Sequence, residues 1–244
     1  LQEFSPPLVL VGGWVPYLYQ KVLWKHVALQ PLATADIDFA LREVNYPKGL
    51  TIAQKLMNQN YGERHVELGK SIPYVPLVQA HGVSIEIEFI VDTQASLDMI
   101  RKVVGQEIKI NQIQNVNILL SSTCSLQVES IPVWVPTPEV LVFHKLLTFT
   151  SRMPEKRFKD LYYAYYVLFF SPEQDKIDSK VSQLIRTLPE GTVVRKNIDD
   201  YFGDPTDRGP LGIVPHAQAS HMPLSSLEIR EDACERFRAL LPPR

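Results

Sequence analysis

Four apolar residues in a row, Leu8, Val9, Leu10 and Val11, read as a buried strand that runs directly into Gly12 and Gly13. The period then changes. Val15, Leu18, Tyr19, Val22 and Leu23 fall at the i, i+3, i+4, i+7, i+8 spacing of one helical face, with Pro16 tolerated in the first turn. Alternation takes over at 36–41, where Ile37, Phe39 and Leu41 share one side and Asp36 and Asp38 the other. It returns at 83–90, with Ile85, Ile87 and Phe89 opposed to Glu86 and Glu88. Between them, 50–60 carries a helical stripe of Leu50, Ala53, Leu56 and Met57, stopped by Tyr61-Gly62. Strands are predicted at 64–68 and 74–79, the second joined to 83–91 by a turn at His81-Gly82. Pro73 and Pro76 imply that this strand lies at an edge or is irregular. Residues 103–120 show no clear period, whereas 126–129 and 133–135 read as two short strands closing the sheet.

Pro136-Thr137-Pro138 marks a boundary, since the residue before a proline avoids the helical region and a long helix follows. That helix, 138–151, is mostly apolar, with His144, Lys145, Thr148 and Arg152 along one narrow polar stripe. A second, 155–170, sets Phe158, Leu161, Tyr162, Tyr165, Leu168 and Phe169 at core spacing, which favours packing over a base-stacking platform. Further helices are predicted at 172–188, 193–201 and 224–241, with 203–223 as a long Gly/Pro-rich connection. The fold class expected is α/β in the α+β sense. A mixed central sheet in residues 1–136 is followed by an all-helical part in 137–244.

Composition narrows the picture modestly. A chain of 244 residues with 45% hydrophobic content buries a substantial core. With 25 basic against 27 acidic residues there is no global nucleic-acid footprint, so a polynucleotide would meet a local patch. No apolar run is long enough to span a membrane, and no signal pattern opens the chain, so a cytoplasmic location is expected. The first residue is Leu1, which leaves room for a preceding segment. Cys124 and Cys234 read as free thiols, and His65, His81, His216 and His221 lack metal-ligand spacing.

The candidate chemistry lies in the first half. Gly12 and Gly13 end a strand and open a helix, where N–H groups and the positive end of a dipole suit phosphate; a plain strand-to-helix turn explains them equally well. Asp36 and Asp38 emerge on one strand face roughly 7 Å apart at Cα. A cation relieves their repulsion, and a third carboxylate from 83–90 completes a site for two Mg²⁺ ions about 3.5–4 Å apart. By itself the Glu86/Glu88 strand also reads as a solvated face. Lys145 leaves its buried helix either toward phosphate or, snorkelling, toward solvent. Lys145, Arg152, Lys156, Arg157 and Lys159 concentrate five cations in a short span.

Gly12-Gly13, Asp36-x-Asp38 and an acid on a later strand resemble the polymerase-β-like nucleotidyltransferase superfamily. The chain is similar in particular to the AbiEii-type abortive-infection toxins and related small prokaryotic nucleotidyltransferases. The shared features are Gly12-Gly13-Trp14, Thr34-x-Asp36-x-Asp38, Glu88-Phe89-Ile90, and the run from Val135-Pro136-Thr137-Pro138 through His144-Lys145-Leu146 to Lys159-Asp160-Leu161. The resemblance covers roughly residues 8–170. It departs in the longer spacing from Gly13 to Asp36 and in Leu32, where the family often has arginine.

The resemblance implies a nucleotidyltransferase fold and transfer of a nucleoside monophosphate from an NTP to a hydroxyl acceptor. It further implies Asp36, Asp38 and Glu88 as ligands of two Mg²⁺ (or Mn²⁺) ions and, together with Lys145, as catalytic residues. Gly12, Gly13, Thr34, Lys145, Arg152 and Lys159 would lie at the nucleotide. The five-cation span favours RNA, such as a tRNA acceptor stem, over a small hydroxyl compound or a protein side chain as acceptor, and an antitoxin protein is the partner the resemblance suggests. Two rivals stay open: a nucleotide-binding protein without turnover, which Leu32 favours, and a glycosyltransferase using Asp36-x-Asp38, for which the glycine pair and third acid would be coincidences. No Walker-type lysine loop is present.

Overall fold

The computed structural model describes residues 7–25, 31–32, 34, 36–43, 49–58, 66–67, 70–71, 77–80, 83–106 and 108–242. The chain divides into two compact units, Leu1–Val15 with Ala33–Pro136, and Pro16–Leu32 with Thr137–Arg244.

The first unit is built on a seven-stranded mixed sheet. Strand β1 (Val9–Val11) lies between β2 (Asp36–Ala40), to which it is antiparallel, and β9 (Ile131–Pro136), to which it is parallel. β2 continues in parallel to the long β6 (Val83–Asp92). The far edge of β6 is shared: β5 (Leu77–Ala80) pairs antiparallel with its first half and β7 (Ile110–Ile113) parallel with its second. β8 (Thr123–Val128) closes the other end as a hairpin with β9, turning at Glu129 with φ 57°. A separate two-stranded ribbon joins β3 (Val66–Glu67) to β4 (Lys70–Ser71).

Alternation along β2 and β6 decides the layering. Leu41, Ile87, Phe89 and Val91 enter a core with Ile52, Ala53 and Leu56 of α2 (Ile52–Asn58) and Ile100 and Val104 of α3 (Leu97–Val104). Phe39 stacks on Phe89, ring centroids 6.2 Å apart. The sheet is thus covered on one side, and the carboxylates of β2 and β6 belong to the other. At the end of β6 the buried Asp92 accepts from the backbone N–H of Gln94 (3.1 Å) and of Asn117 (3.2 Å), the latter at the start of α4 (Val116–Ser121). The stretch without a clear period, 103–120, therefore holds the end of α3, all of β7 and most of α4. These pieces are too short to establish a period, and β7 has its side chains split between half-buried and exposed.

The first helix departs from expectation. Only Trp14–Leu18 (α1) is α-helical, and Tyr19–Leu23 continues as a π turn, with the Trp24 N–H bonded to the Tyr19 carbonyl at 2.8 Å. The wider turn shifts the phase of the stripe. Val15, Leu18 and Tyr19 are buried as predicted, but Gln20 is buried next while Leu23 is 41% exposed. In α2, Leu50 lies outside the helix and is exposed. The signals at Tyr61-Gly62, His65, Pro73, Pro76 and His81-Gly82 fall outside the described residues.

The second unit is helical: α5 (Pro138–Thr148) with a 3₁₀ turn to Ser151, α6 (Pro154–Phe170), α7 (Gln174–Thr187), α8 (Gly191–Tyr201), α9 (Arg208–Ala219) and α10 (Ser226–Ala239). The aromatic stripe of α6 is core, with Tyr162, Tyr165 and Tyr166 fully buried. Asn197 of α8 donates to the Leu146 carbonyl at 2.8 Å, satisfying one of the orphan acceptors at the end of α5. A capping box of Ser225 and Glu228 starts α10.

The expected connection at 203–223 is instead largely helix α9. Asp207 stands at the N-cap and Pro210 lies in the first turn, where its missing N–H costs nothing. The glycines serve packing: a Cβ on Gly209 would stand 2.5 Å from the Tyr201 carbonyl oxygen, and one on Gly212 would overlap the Phe158 ring. The buried Cys234 thiol donates to the Phe202 carbonyl at 3.1 Å. No helix among the described residues is long and apolar enough to cross a membrane.

Candidate functional site

The acidic face is assembled by strand register. Val11, the last residue of β1, pairs with Asp38, which places the following Gly12 over that carboxylate. Gly12 has φ +79°, a left-handed conformation that a side chain strains. A Cβ there would overlap a carboxylate oxygen of Asp38 and come within 3.1 Å of its Cγ. Glycine is therefore required twice, for the turn and for the close approach.

On the other side of Asp38, the parallel pairing of β2 with β6 sets Asp36 opposite Glu86 and Asp38 opposite Glu88. Directly opposed residues of neighbouring strands share a face, so four carboxylates meet on one patch. Like charges so placed repel unless a cation intervenes. Two of them are held by neighbours: Thr34 Oγ1 donates to Asp36, and Asn111 Nδ2 donates to Glu88 Oε2 at 2.9 Å. Glu86 is exposed, Glu88 half-buried. As the side chains stand, no three acidic, imidazole or thiol groups among the described residues converge on one point. The chemistry of Asp36, Asp38 and Glu88, all hard oxygen donors, fits Mg²⁺ or Mn²⁺, with rotation of the carboxylates needed to share an ion. With α1 only five residues long, a dipole adds little at Gly12 and Gly13; what they offer phosphate is backbone approach.

The polar stripe predicted on α5 is not a solvated one. His144, Lys145 and Thr148 are all buried. Lys145 Nζ donates to Asp160 on α6, and Arg152 Nε lies 3.1 Å from the other oxygen of the same carboxylate. The ammonium groups of Lys145 and Lys159 lie 5.8 and 5.7 Å from the centre of the Tyr163 ring, within cation–π range. Burial, with Lys159 nearby, lowers the His216 pKa. Arg157 donates to the Thr150 carbonyl at 3.0 Å, while Lys156 is exposed. The five-cation cluster is thus partly consumed by internal pairing. Lys145 does not emerge from its helix, because Asp160 holds it.

Two pairings leave no mark in the sequence, Asn111 with Glu88 and Lys145 with Asp160. Asn111 sits in the aperiodic stretch, with no spacing to mark it. Asp160 pairs across two helices, a contact that neither helix's own period reveals.

A sequence profile described as nucleotidyltransferase matches residues 2–181. No protein of curated function matches the chain. Among solved structures, the crystal structure of an antigenic nucleotidyltransferase-like protein from Paracoccidioides brasiliensis is similar, with a TM-score of 0.41 and 13% identity, over 78% of this chain and 84% of that one. The profile match spans most of the 244 residues, and with it the glycine turn, both aspartates and Glu88: the chain belongs to the nucleotidyltransferase family.

Proposed function

We propose that this protein moves a nucleoside monophosphate from an NTP to a hydroxyl acceptor, using Asp36, Asp38 and Glu88. The observation that carries the reading is Asp38 itself, enclosed between the left-handed backbone of Gly12 and its cross-strand partner Glu88. A carboxylate in that setting stands beside the glycine turn with a second acid across from it. In the reaction the acceptor oxygen bonds to the α-phosphorus, the bond from that phosphorus to the bridging oxygen breaks, and pyrophosphate leaves. Such chemistry asks the protein chiefly for placement and charge stabilisation. Two Mg²⁺ ions, or Mn²⁺, held by the three carboxylates would supply neutralisation of the triphosphate and activation of the attacking oxygen. Thr34 orients Asp36, and the Gly12-Gly13 backbone approaches the phosphates without a side chain in the way.

RNA is the acceptor class we favour, a tRNA end being one form. Exposed Lys156 and half-buried Lys159 are the cations of the helical unit that would meet its phosphates; Lys145 and Arg152 are engaged by Asp160. Incubating the protein with Mg²⁺, each α-labelled NTP and a pool of RNA, protein and small hydroxyl compounds tests this. Label on RNA, lost steeply with added salt, is the expected result. Label only on a protein or a small compound overturns the RNA acceptor, and no label anywhere overturns transfer.

Leu32 and the internal pairing of Lys145 favour a second reading, a toxin-like cytoplasmic protein that binds nucleotide and acts through an antitoxin partner without efficient turnover. NTP binding without pyrophosphate release would select it.

A further inference from the structure

Two glutamates share one face of β6, and the proposed site takes only Glu88. Glu86 and Glu88 each stand opposite an aspartate, Asp36 and Asp38 respectively. They differ in their neighbours. β7 joins β6 only along its second half, pairing Phe89 with Ile110 and Ile90 with Asn111. Asn111 therefore shares the face of Ile90 and, two residues back, of Glu88, and its Nδ2 donates to Glu88 Oε2 at 2.9 Å. The first half of β6 pairs with β5, where Leu77 is the residue opposite Glu86.

We infer that Asn111 is a positioning residue that fixes Glu88 as the third carboxylate of the site. The inference rests on the metal-binding reading of Asp36, Asp38 and Glu88. The residue type suits the role. An amide donor holds one carboxylate oxygen and leaves the other open, and being neutral it does not offset the negative charge that attracts the cation, as lysine or arginine would. Hydrogen-bonded partners behind metal ligands commonly contribute about 10–100-fold to metal affinity. A half-buried carboxylate on a strand otherwise samples several rotamers, and the Asn111 bond removes that freedom before an ion arrives.

The test is equilibrium binding of Mn²⁺ to the full chain, read by the paramagnetic signal of free ion, in wild type, Asn111→Ala and Asn111→Thr. The threonine variant keeps a strand-favouring residue in β7 and lacks the reach to Glu88, so it reports on the hydrogen bond even if the alanine variant folds poorly. Expected is wild-type thermal unfolding with Mn²⁺ affinity about tenfold weaker, and a raised Mg²⁺ requirement with kcat near wild type at saturating metal. In a Glu88→Gln background the same substitutions should change Mn²⁺ affinity no further, since they act through Glu88. Unchanged Mn²⁺ affinity in folded Asn111→Thr, or an equal loss in the Glu88→Gln background, overturns the positioning role alone. A wild-type chain that binds no Mn²⁺ overturns it together with the metal reading.

Discussion

Replacing Gly12 with alanine perturbs the site at its tightest contact and nowhere else. At φ +79° a residue with a Cβ is strained by about 1–2 kcal/mol. The new methyl also overlaps the Asp38 carboxylate, which must leave its rotamer to clear it, at about 0.5–1.5 kcal/mol more. The sum, roughly 1.5–3.5 kcal/mol, is smaller than the about 5–15 kcal/mol that holds a domain together, so Gly12→Ala should fold. With a urea dependence of about 1–3 kcal/mol per molar, its unfolding midpoint should fall by roughly 0.5 M or more. Activity should fall further than stability suggests, because a catalytic group misplaced by about 1 Å costs on the order of 100-fold. Gly13→Ala is the control for backbone strain: Gly12 and Gly105 are the described glycines with positive φ, so alanine at 13 escapes the left-handed penalty that position 12 imposes. Urea unfolding of both variants and pyrophosphate release by Gly12→Ala decide it. A Gly12→Ala protein as stable and as active as wild type would refute the close approach of Gly12 to Asp38.

Asp36→Asn and Asp38→Asn should each abolish turnover while leaving the protein folded, and in the absence of metal should stabilise it by up to about 1 kcal/mol through relief of cross-strand repulsion; unchanged turnover in either counts against the carboxylate site. Glu88→Gln should behave like the aspartate variants and Glu86→Gln should be mild, whereas the reverse in a pyrophosphate assay would assign the third ligand to Glu86. Lys145→Met should lower stability, toward the low end of about 3–5 kcal/mol because Arg152 remains beside Asp160, and Asp160→Asn in addition should restore part of it; a urea midpoint unmoved by Lys145→Met would show the buried pair to be inert. Burial pushes the Tyr162 pKa up to about 12 and raises those of Tyr165 and Tyr166, while the unfolded residues titrate near 10.0. Their contribution is therefore complete below pH 10 and is lost as pH rises toward the folded values, at about 1.4 kcal/mol per pH unit for each group; a melting temperature flat from pH 9 to pH 12 would contradict it.

Long alternating segments were legible from the sequence because burial on one face leaves a period of two. β2 and β6 fell where Ile37, Phe39, Ile87 and Phe89 required, and the acids on the opposite face followed from the same alternation. Parallel register was not legible: that Asp38 faces Glu88 rather than Glu86 depends on how two strands distant in sequence align. Short elements escaped for want of length, as with α3, β7 and α4, and with them Asn111. The Gly/Pro content of 203–223 misled because Gly209 and Gly212 admit neighbouring side chains against a helix, a role that looks the same in sequence as a turn. Lys145 stood out as the lysine of a narrow polar stripe on a mostly apolar helix, and Asp160, the partner with which it is buried, lies on the next helix.

The most direct test of the central claim is pyrophosphate release by the full chain with each NTP, an RNA pool and Mg²⁺, comparing wild type with Asp38→Asn. The account predicts release by wild type that stops when the divalent ion is chelated and is at least 100-fold slower in the variant. Equal release by both proteins, or none by wild type with any NTP, would contradict it.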